Sequence, residues 1–294
     1  MRSPIFIFIF CLLFTPVHGN QVVLITGASR GIGYATAELL AHDGYTVYAG
    51  MRNPSLVTQQ RDLKNFHVIQ LDVTNQQSID LAINKIVDNE GHLDVLINNA
   101  GIMIYGSVEN LTIEEAKNVF DVNFFGVMRV TQAVLPVMRG QKRGRIIQIS
   151  SRSGFRPLPS ISIYAASKYA LEGLSETMAA TLKPWNIDIS LVQPGPVSSE
   201  LDFISPYGSR LLQNIDPYYS IFHQAGLLDP NSPIAQSPQE IALLIKQIIE
   251  AEKPLFRYQT TENIKKQAAL RLVDITGNSA VTEWHHMLFA EVND

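Results

Sequence analysis

From Gln21 onward the chain alternates short β-branched runs with stretches of helical spacing, and that alternation leaves few folds open. The runs VVLIT (22–26), YTVYAGM (45–51), HVIQL (67–71), DVLIN (94–98), RIIQIS (145–150) and IDISLVQ (187–193) are flanked by polar or turn residues. Such runs mark strands buried on both faces of a parallel sheet. Helical spacing falls between them at 32–42, 78–88, 113–138 and 164–182. Parallel strands need crossovers, and right-handed crossovers cover both faces. The pattern therefore predicts one α/β domain, a doubly wound parallel sheet running from Asn20 to the end. A helix at 238–251, a short strand near 255–258 and a helix near 263–272 complete it.

Between them, residues 195–236 lose the alternation and become rich in proline, serine and aromatics. A long irregular segment after the carboxyl end of a strand lies where open α/β sheets bind ligands, so residues 196–236 are the expected substrate lid. Phe203, Tyr207, Leu211, Leu212, Tyr218, Tyr219, Phe222 and Leu227 supply an apolar lining, with Phe155 and Leu158 able to join it.

Residues 1–19 stand apart. Arg2 precedes the apolar run IFIFIFCLLF (5–14), and Val17-His18-Gly19 ends on a small residue. That layout describes a signal peptide or a membrane-associating segment, and the run is well short of the roughly 20 residues a spanning helix needs. Membrane association or export follows if the segment acts as a signal, and a cytoplasmic location if it does not. Cys11 is the only cysteine, so no disulfide forms within the chain. With 46% hydrophobic residues the 294-residue chain is not disordered, and its scattered basic residues and net charge of -4 argue against a nucleic-acid partner.

TGASRGIG (26–33) joins the first strand to the first helix. Gly27, Gly31 and Gly33 allow a tight turn and close backbone approach, and the helix that follows offers unpaired N–H groups to a pyrophosphate. The second strand ends Ala49-Gly50-Met51-Arg52, with no carboxylate for a ribose 2'-hydroxyl and one guanidinium for a 2'-phosphate. Arg52 is either that phosphate partner or a solvated cation; the missing acid is the stronger sign of NADP.

Four further pieces carry chemistry. NNAG (98–101) ends the fourth strand; Asn123 sits mid-helix, where asparagine is a poor helix former; Ser151 follows the fifth strand, with Ser150 and Ser153 as competitors. Tyr164 and Lys168 lie one helical turn apart and share a face. A nearby ammonium favours phenolate, which makes the tyrosine a usable acid and base near neutrality.

The spacing of the glycine loop, with three residues between its first two glycines, resembles the short-chain dehydrogenase/reductase family. NNAG, Asn123, and Ser151 thirteen residues before Tyr164 fit the same family, and the resemblance covers essentially all of the chain after Gln21. VYAGMRNP, LDVLINNAG, YAASKYALEGLSETMA and RYQTTEN resemble its estradiol 17-beta-dehydrogenase and retinol dehydrogenase branch. The resemblance implies a Rossmann-type fold and an oxidoreductase that moves hydride between NADP(H), preferred over NAD(H), and a hydrophobic carbonyl or secondary alcohol, steroid- or retinoid-like. It implies that Tyr164 is the acid/base, that Ser151 holds the substrate oxygen, that Lys168 holds the nicotinamide ribose, and that Asn123 supports a water reaching Lys168.

The same resemblance places Ser29, Arg30 and Ile32 with the loop glycines on the cofactor, and Asp72 and Val73 at the adenine. Asn99, Ala100 and Gly101 would let the cofactor pass, and Pro194, Gly195, Val197 and Ser199 would meet its carboxamide end. No metal ligand set is expected, and a homodimer or homotetramer is. His223 is either a partner for a distal substrate hydroxyl, by likeness to the steroid enzymes, or a solvated loop histidine. The alternative is an NADP(H)-binding sensor or scaffold without turnover, against which the intact Ser151, Tyr164 and Lys168 stand.

Overall fold

The computed structural model describes residues 21–56, 63–198, 207–211, 216–224 and 235–270, with single positions at 272, 276, 278 and 282. Residues 1–19, together with Ser199, Phe203, Leu212 and Leu227, lie outside the described residues. Among the described residues, seven strands form one parallel sheet in the order β3-β2-β1-β4-β5-β6-β7. They are β1 (Val22–Thr26), β2 (Thr46–Met51), β3 (Phe66–Gln70), β4 (Val95–Asn98), β5 (Gly144–Ile149), β6 (Ile187–Gln193) and β7 (Arg257–Gln259). Strand order reverses at β1 and β4, where Val23 pairs with Val95 and Ile25 with Ile97. A crevice opens at such a reversal, and ligands enter it at the carboxyl ends of the strands.

Strand burial follows from the period of two. Val22 and Leu24 of β1 enter one core, together with Ile79 and Ile83 of α2 (Gln76–Glu90) and Val130 and Val134 of α4 (Val127–Gln141). Val23 and Ile25 enter the other, with Leu40 of α1 (Gly31–His42) and Ile241 and Ile245 of α7 (Pro238–Glu250). Both faces are covered, which is why β1 carries no polar alternation. Helix starts are chemically marked: Asn75 caps α2 by accepting from the Ser78 N–H, and Thr112 and Glu115 form a capping box on α3 (Ile113–Phe120). Each cap is worth about 1 kcal/mol.

Two elements differ from the sequence expectation. Residues 113–138 are not one continuous helix: α3 passes through a π turn, Asp121–Gly126, before α4. Hydrophobic spacing cannot register the one extra residue that a π turn inserts. Within the supposed irregular segment, Pro217–Gln224 forms a helix, α6. Its Pro-Tyr-Tyr start reads as loop, yet proline suits a first helical turn, where its missing N–H goes unneeded. The catalytic helix candidate, α5, spans Ser162–Thr181, and α8 spans Glu262–Ala269. Among the described residues no helix is long and apolar enough to cross a membrane.

Candidate active site

The glycine loop is held by its neighbours. Gly27 has φ +66° and Gly31 φ +57°, and a Cβ on Gly27 would stand 2.7 Å from Ala100 Cα, so these turns take glycine for backbone reasons. Gly33 is fixed by packing: a Cβ there would strike the Asn99 amide and stand 2.7 Å from the Gly27 carbonyl oxygen. Asn99 Nδ2 donates to Thr26 O and Gly27 O, both at 3.0 Å, while Thr26 Oγ1 accepts from the Asn99 and Ala100 N–H groups. This stitches the ends of β1 and β4 together across the crevice.

Arg30 begins α1 without a side-chain capping bond, which leaves the first turn suited to an anion. Ser29 and Ile32 are partly exposed on that turn, and Arg30 is exposed. Arg52 is exposed directly after β2. The residues present thus fit a dinucleotide. Asp72 Oδ1 accepts from the Thr74 N–H and hydroxyl, and Val73 is a core residue lying where a Cβ on Gly126 would meet it at 2.8 Å. Pro194 is buried and Gly195 partly so; Val197 is buried and bridges to Gln236.

Three elements converge beyond the crevice. A Cβ on Gly101 would stand 3.5 Å from Asn123 Oδ1 and 3.9 Å from Lys168 Nζ. Fully buried in the π turn, Asn123 accepts from the Ile102 N–H at 2.8 Å and donates to Ile102 O and Ser167 Oγ. Ser167 in turn donates to Tyr164 O. The amide of Asn123 is therefore committed to backbone after β4 and to the first turns of α5.

Lys168 is buried, donates from Nζ to Ile149 O at 2.7 Å, and lies 5.6 Å from the Tyr164 ring centre. Burial pulls its pKa down from 10.5 to about 8, against the opposing pull of the Glu172 carboxylate. Near neutrality it is still an ammonium. Of the three serines, Ser150 and Ser153 are buried and Ser151 is partly exposed. Ser150 donates to Glu172 at 2.6 Å; Ser151 Oγ accepts from the Ser153 N–H, a bond that leaves its own O–H to be directed elsewhere.

Tyr164 is partly buried in an apolar cluster with Met103, Tyr105, Ile161 and Phe222, to which Leu158, Tyr218 and Tyr219 also belong. Helix α6 and the tyrosine thus pack on the same cluster. The helix docks through Asp216, which accepts from Asn110 Nδ2 at 2.9 Å, and through a bond from the Tyr218 hydroxyl to Glu109. Tyr207 stacks obliquely on Tyr105, and Leu211 is buried outside this cluster. Phe155 does not line it: it packs against Ile264 and Ala268 of α8, because the 3-10 turn Arg152–Gly154 directs it away. His223 is exposed and stacks on Tyr219.

Residues 21–203 match the family model for short chain dehydrogenase. The chain belongs to that family. Among curated proteins this dehydrogenase is 36% identical over 284 residues to retinol dehydrogenase 8 of Bos taurus, covering 92% of this chain and 90% of the relative. It is 35% identical over 290 residues to 17-beta-hydroxysteroid dehydrogenase type 1 of Homo sapiens (93% and 87%), which places it in that branch. Identity to the 3-ketodihydrosphingosine reductase of Bacteroides thetaiotaomicron is 37% over 237 residues (81% and 86%). A solved short-chain dehydrogenase from Streptomyces avermitilis superposes with a TM-score of 0.76 at 29% identity, covering 93% and 98%. An oxidoreductase of CH–OH groups with a nicotinamide cofactor is what this family membership establishes.

The site holds residues that sequence reasoning missed. Glu172, Gln193 and Arg257 form a buried polar group beneath Lys168, and Glu109, Asn110 and Asp216 dock α6. A carboxylate four residues after Lys168, on the same helix face, was the available signal for Glu172.

Proposed function

We propose that this dehydrogenase interconverts an apolar ketone or aldehyde and the corresponding alcohol, with NADP(H) as preferred cofactor and Tyr164 as the acid/base. The observation that carries this is the placement of Lys168: a buried ammonium held by Ile149 O at the end of β5, beside the Tyr164 ring and two residues from Ser151 along that strand end. When bound, the nicotinamide supplies or accepts the hydride. Tyr164 donates its phenolic proton to the carbonyl oxygen in reduction and takes it back in oxidation. Ser151 directs its O–H to the same oxygen, where negative charge develops. Lys168 stabilises the phenolate, and Asn123 holds the backbone that frames the lysine.

Preference for NADP(H) rests on the absence of a carboxylate at the end of β2, with Arg52 there and Arg30 inside the glycine loop. Three relatives named for a retinoid, a steroid and a long-chain amino ketone share only the apolar character of what they act on, and the aromatic cluster around Tyr164 supports the same class here. Screening NADPH against NADH over steroid, retinoid and long-chain ketones, with Tyr164→Phe in parallel, tests the reading. Turnover that survives in Tyr164→Phe would sink the mechanism; equal use of NADH would sink the cofactor preference.

A further inference from the structure

Beneath the reacting groups, one carboxylate gathers four elements. Glu172, 7% exposed, lies one turn after Lys168 on α5. Its Oε1 accepts from Ser150 Oγ at 2.6 Å and from Gln193 Nε2 at 2.9 Å, and its Oε2 pairs with Arg257 Nε at 3.0 Å. Each partner ends or begins a strand at the site: Ser150 precedes Ser151 after β5, Gln193 ends β6 just before Pro194–Gly195, and Arg257 opens β7. The outer side of Arg257 is closed by Glu176 Oε2 at 2.7 Å and by the Phe256 ring. Gln259 Nε2 completes the group by donating to Gln193 Oε1.

We propose that Glu172 is a positioning residue of the reaction, which sets the spacing between Ser151, Lys168 and the Pro194–Gly195 turn by tying three strand ends to the helix that carries Tyr164. The inference rests on the roles given above to Tyr164 and Lys168. Packing alone does not call for this arrangement, because a buried ion pair is a poor source of stability compared with apolar residues of the same volume. Its geometry is directional instead. One oxygen acts on the strand ends that carry the site and the other on the counter-ion.

The charge acts on Lys168 as well. Around the lysine, Gly101 after β4, Asn123 of the π turn, Ser167 of α5 and the Ile149 carbonyl of β5 are uncharged, and Tyr164 is neutral until it gives up its proton. Glu172 is the charged group that acts on Lys168 among the described residues, and it opposes the desolvation that lowers the lysine. Removing the charge therefore lets the ammonium lose its proton at lower pH. Glu176 still pairs with Arg257 in that case, so the guanidinium is not left alone.

Glu172→Gln, assayed by NADPH consumption with the best ketone of the screen, tests this. We expect kcat to fall tenfold or more with KM and NADPH affinity within about twofold, and the alkaline limb of kcat to move down by about one pH unit. Glu172→Asp, which keeps the charge, should bring the limb back towards its original position. Wild-type kcat with an unmoved limb, or equal impairment of both variants with an unmoved limb, overturns the proposal. If Glu172→Gln does not fold, the double variant Glu172→Gln/Arg257→Met removes both charges, and an unmoved limb there overturns it equally. Tyr164→Phe in the same series separates the failures: its retained turnover condemns the acid/base reading itself, whereas its loss beside an unaffected Glu172→Gln condemns only the positioning role.

Discussion

The floor of the site and its wall are built differently. The floor, made of Asn123, Lys168 and Glu172, is buried, and its polar atoms are tied to strand ends and helix turns of the sheet core. The wall is α6, eight residues long with Ile221 57% exposed, which reaches the rest through Asp216, Tyr218 and a few aromatic contacts. In the proposed function, reaction chemistry would sit on groups tied to the sheet, and substrate choice on a short helix held by few contacts.

Experiments that contrast the two regions should give effects of decreasing size. Beside the floor, Tyr164→Phe should lower turnover by about 10³-fold with cofactor binding intact, the middle of what a positioned acid/base contributes; single-turnover kinetics with NADPH fluorescence measures both. Gly33→Ala forces a Cβ against Asn99 and the Gly27 carbonyl. It should weaken NADPH binding by about 10²-fold or unfold the loop, as overpacking costs about 1–3 kcal/mol, and calorimetric titration distinguishes the two.

Core and wall should then part company in stability. Ile147→Ala, in the sheet, should cost about 2–5 kcal/mol of global stability in urea unfolding. Phe222→Ala on α6 should cost far less, because a locally docked element opens before the whole molecule does, while changing KM several-fold among bulky ketones. Comparable losses for the two would erase the distinction between floor and wall. Arg52→Ser should reduce NADPH affinity by about tenfold and leave NADH unchanged, on the scale of one charge-assisted hydrogen bond.

The smallest effect concerns pH. Because Lys168 has a folded pKa of about 8 and an unfolded one of 10.5, the unfolded chain binds more protons between these values. Stability of the cofactor-free protein should therefore rise with pH across that window relative to Lys168→Met, and the difference should flatten below it. Thermal scans of both proteins from pH 7 to pH 11 read this directly; parallel curves would mean that the lysine is not desolvated.

Much of the site was legible in the chain because those parts are local: TGASRGIG, NNAG and YAASK each announce a strand end or a helix start in a few residues. Strand limits came within one or two residues for the same reason, since β-branched runs buried on two faces have sharp polar borders. The π turn was not legible, as one inserted residue leaves apolar spacing almost unchanged. Helix α6 was hidden by Pro217, Tyr218 and Tyr219, whose composition suits loops and whose docking partners, Glu109 and Asn110, stand more than 100 residues earlier in the chain. Glu172 and Arg257 stand 85 residues apart, and nothing in either neighbourhood names the other.

That separation has a consequence for how the molecule comes into being. A chain that has emerged through β6 already contains the glycine loop, Ser151, Tyr164 and Lys168, yet it carries a carboxylate in its interior whose counter-ion has not been made. Arg257 arrives with β7, the last strand among the described residues, at the sheet edge furthest from β3. Assembly of this dehydrogenase therefore finishes at its centre: the final strand delivers the charge that the middle has been waiting for, and truncation before β7 removes more from the site than its distance along the chain suggests.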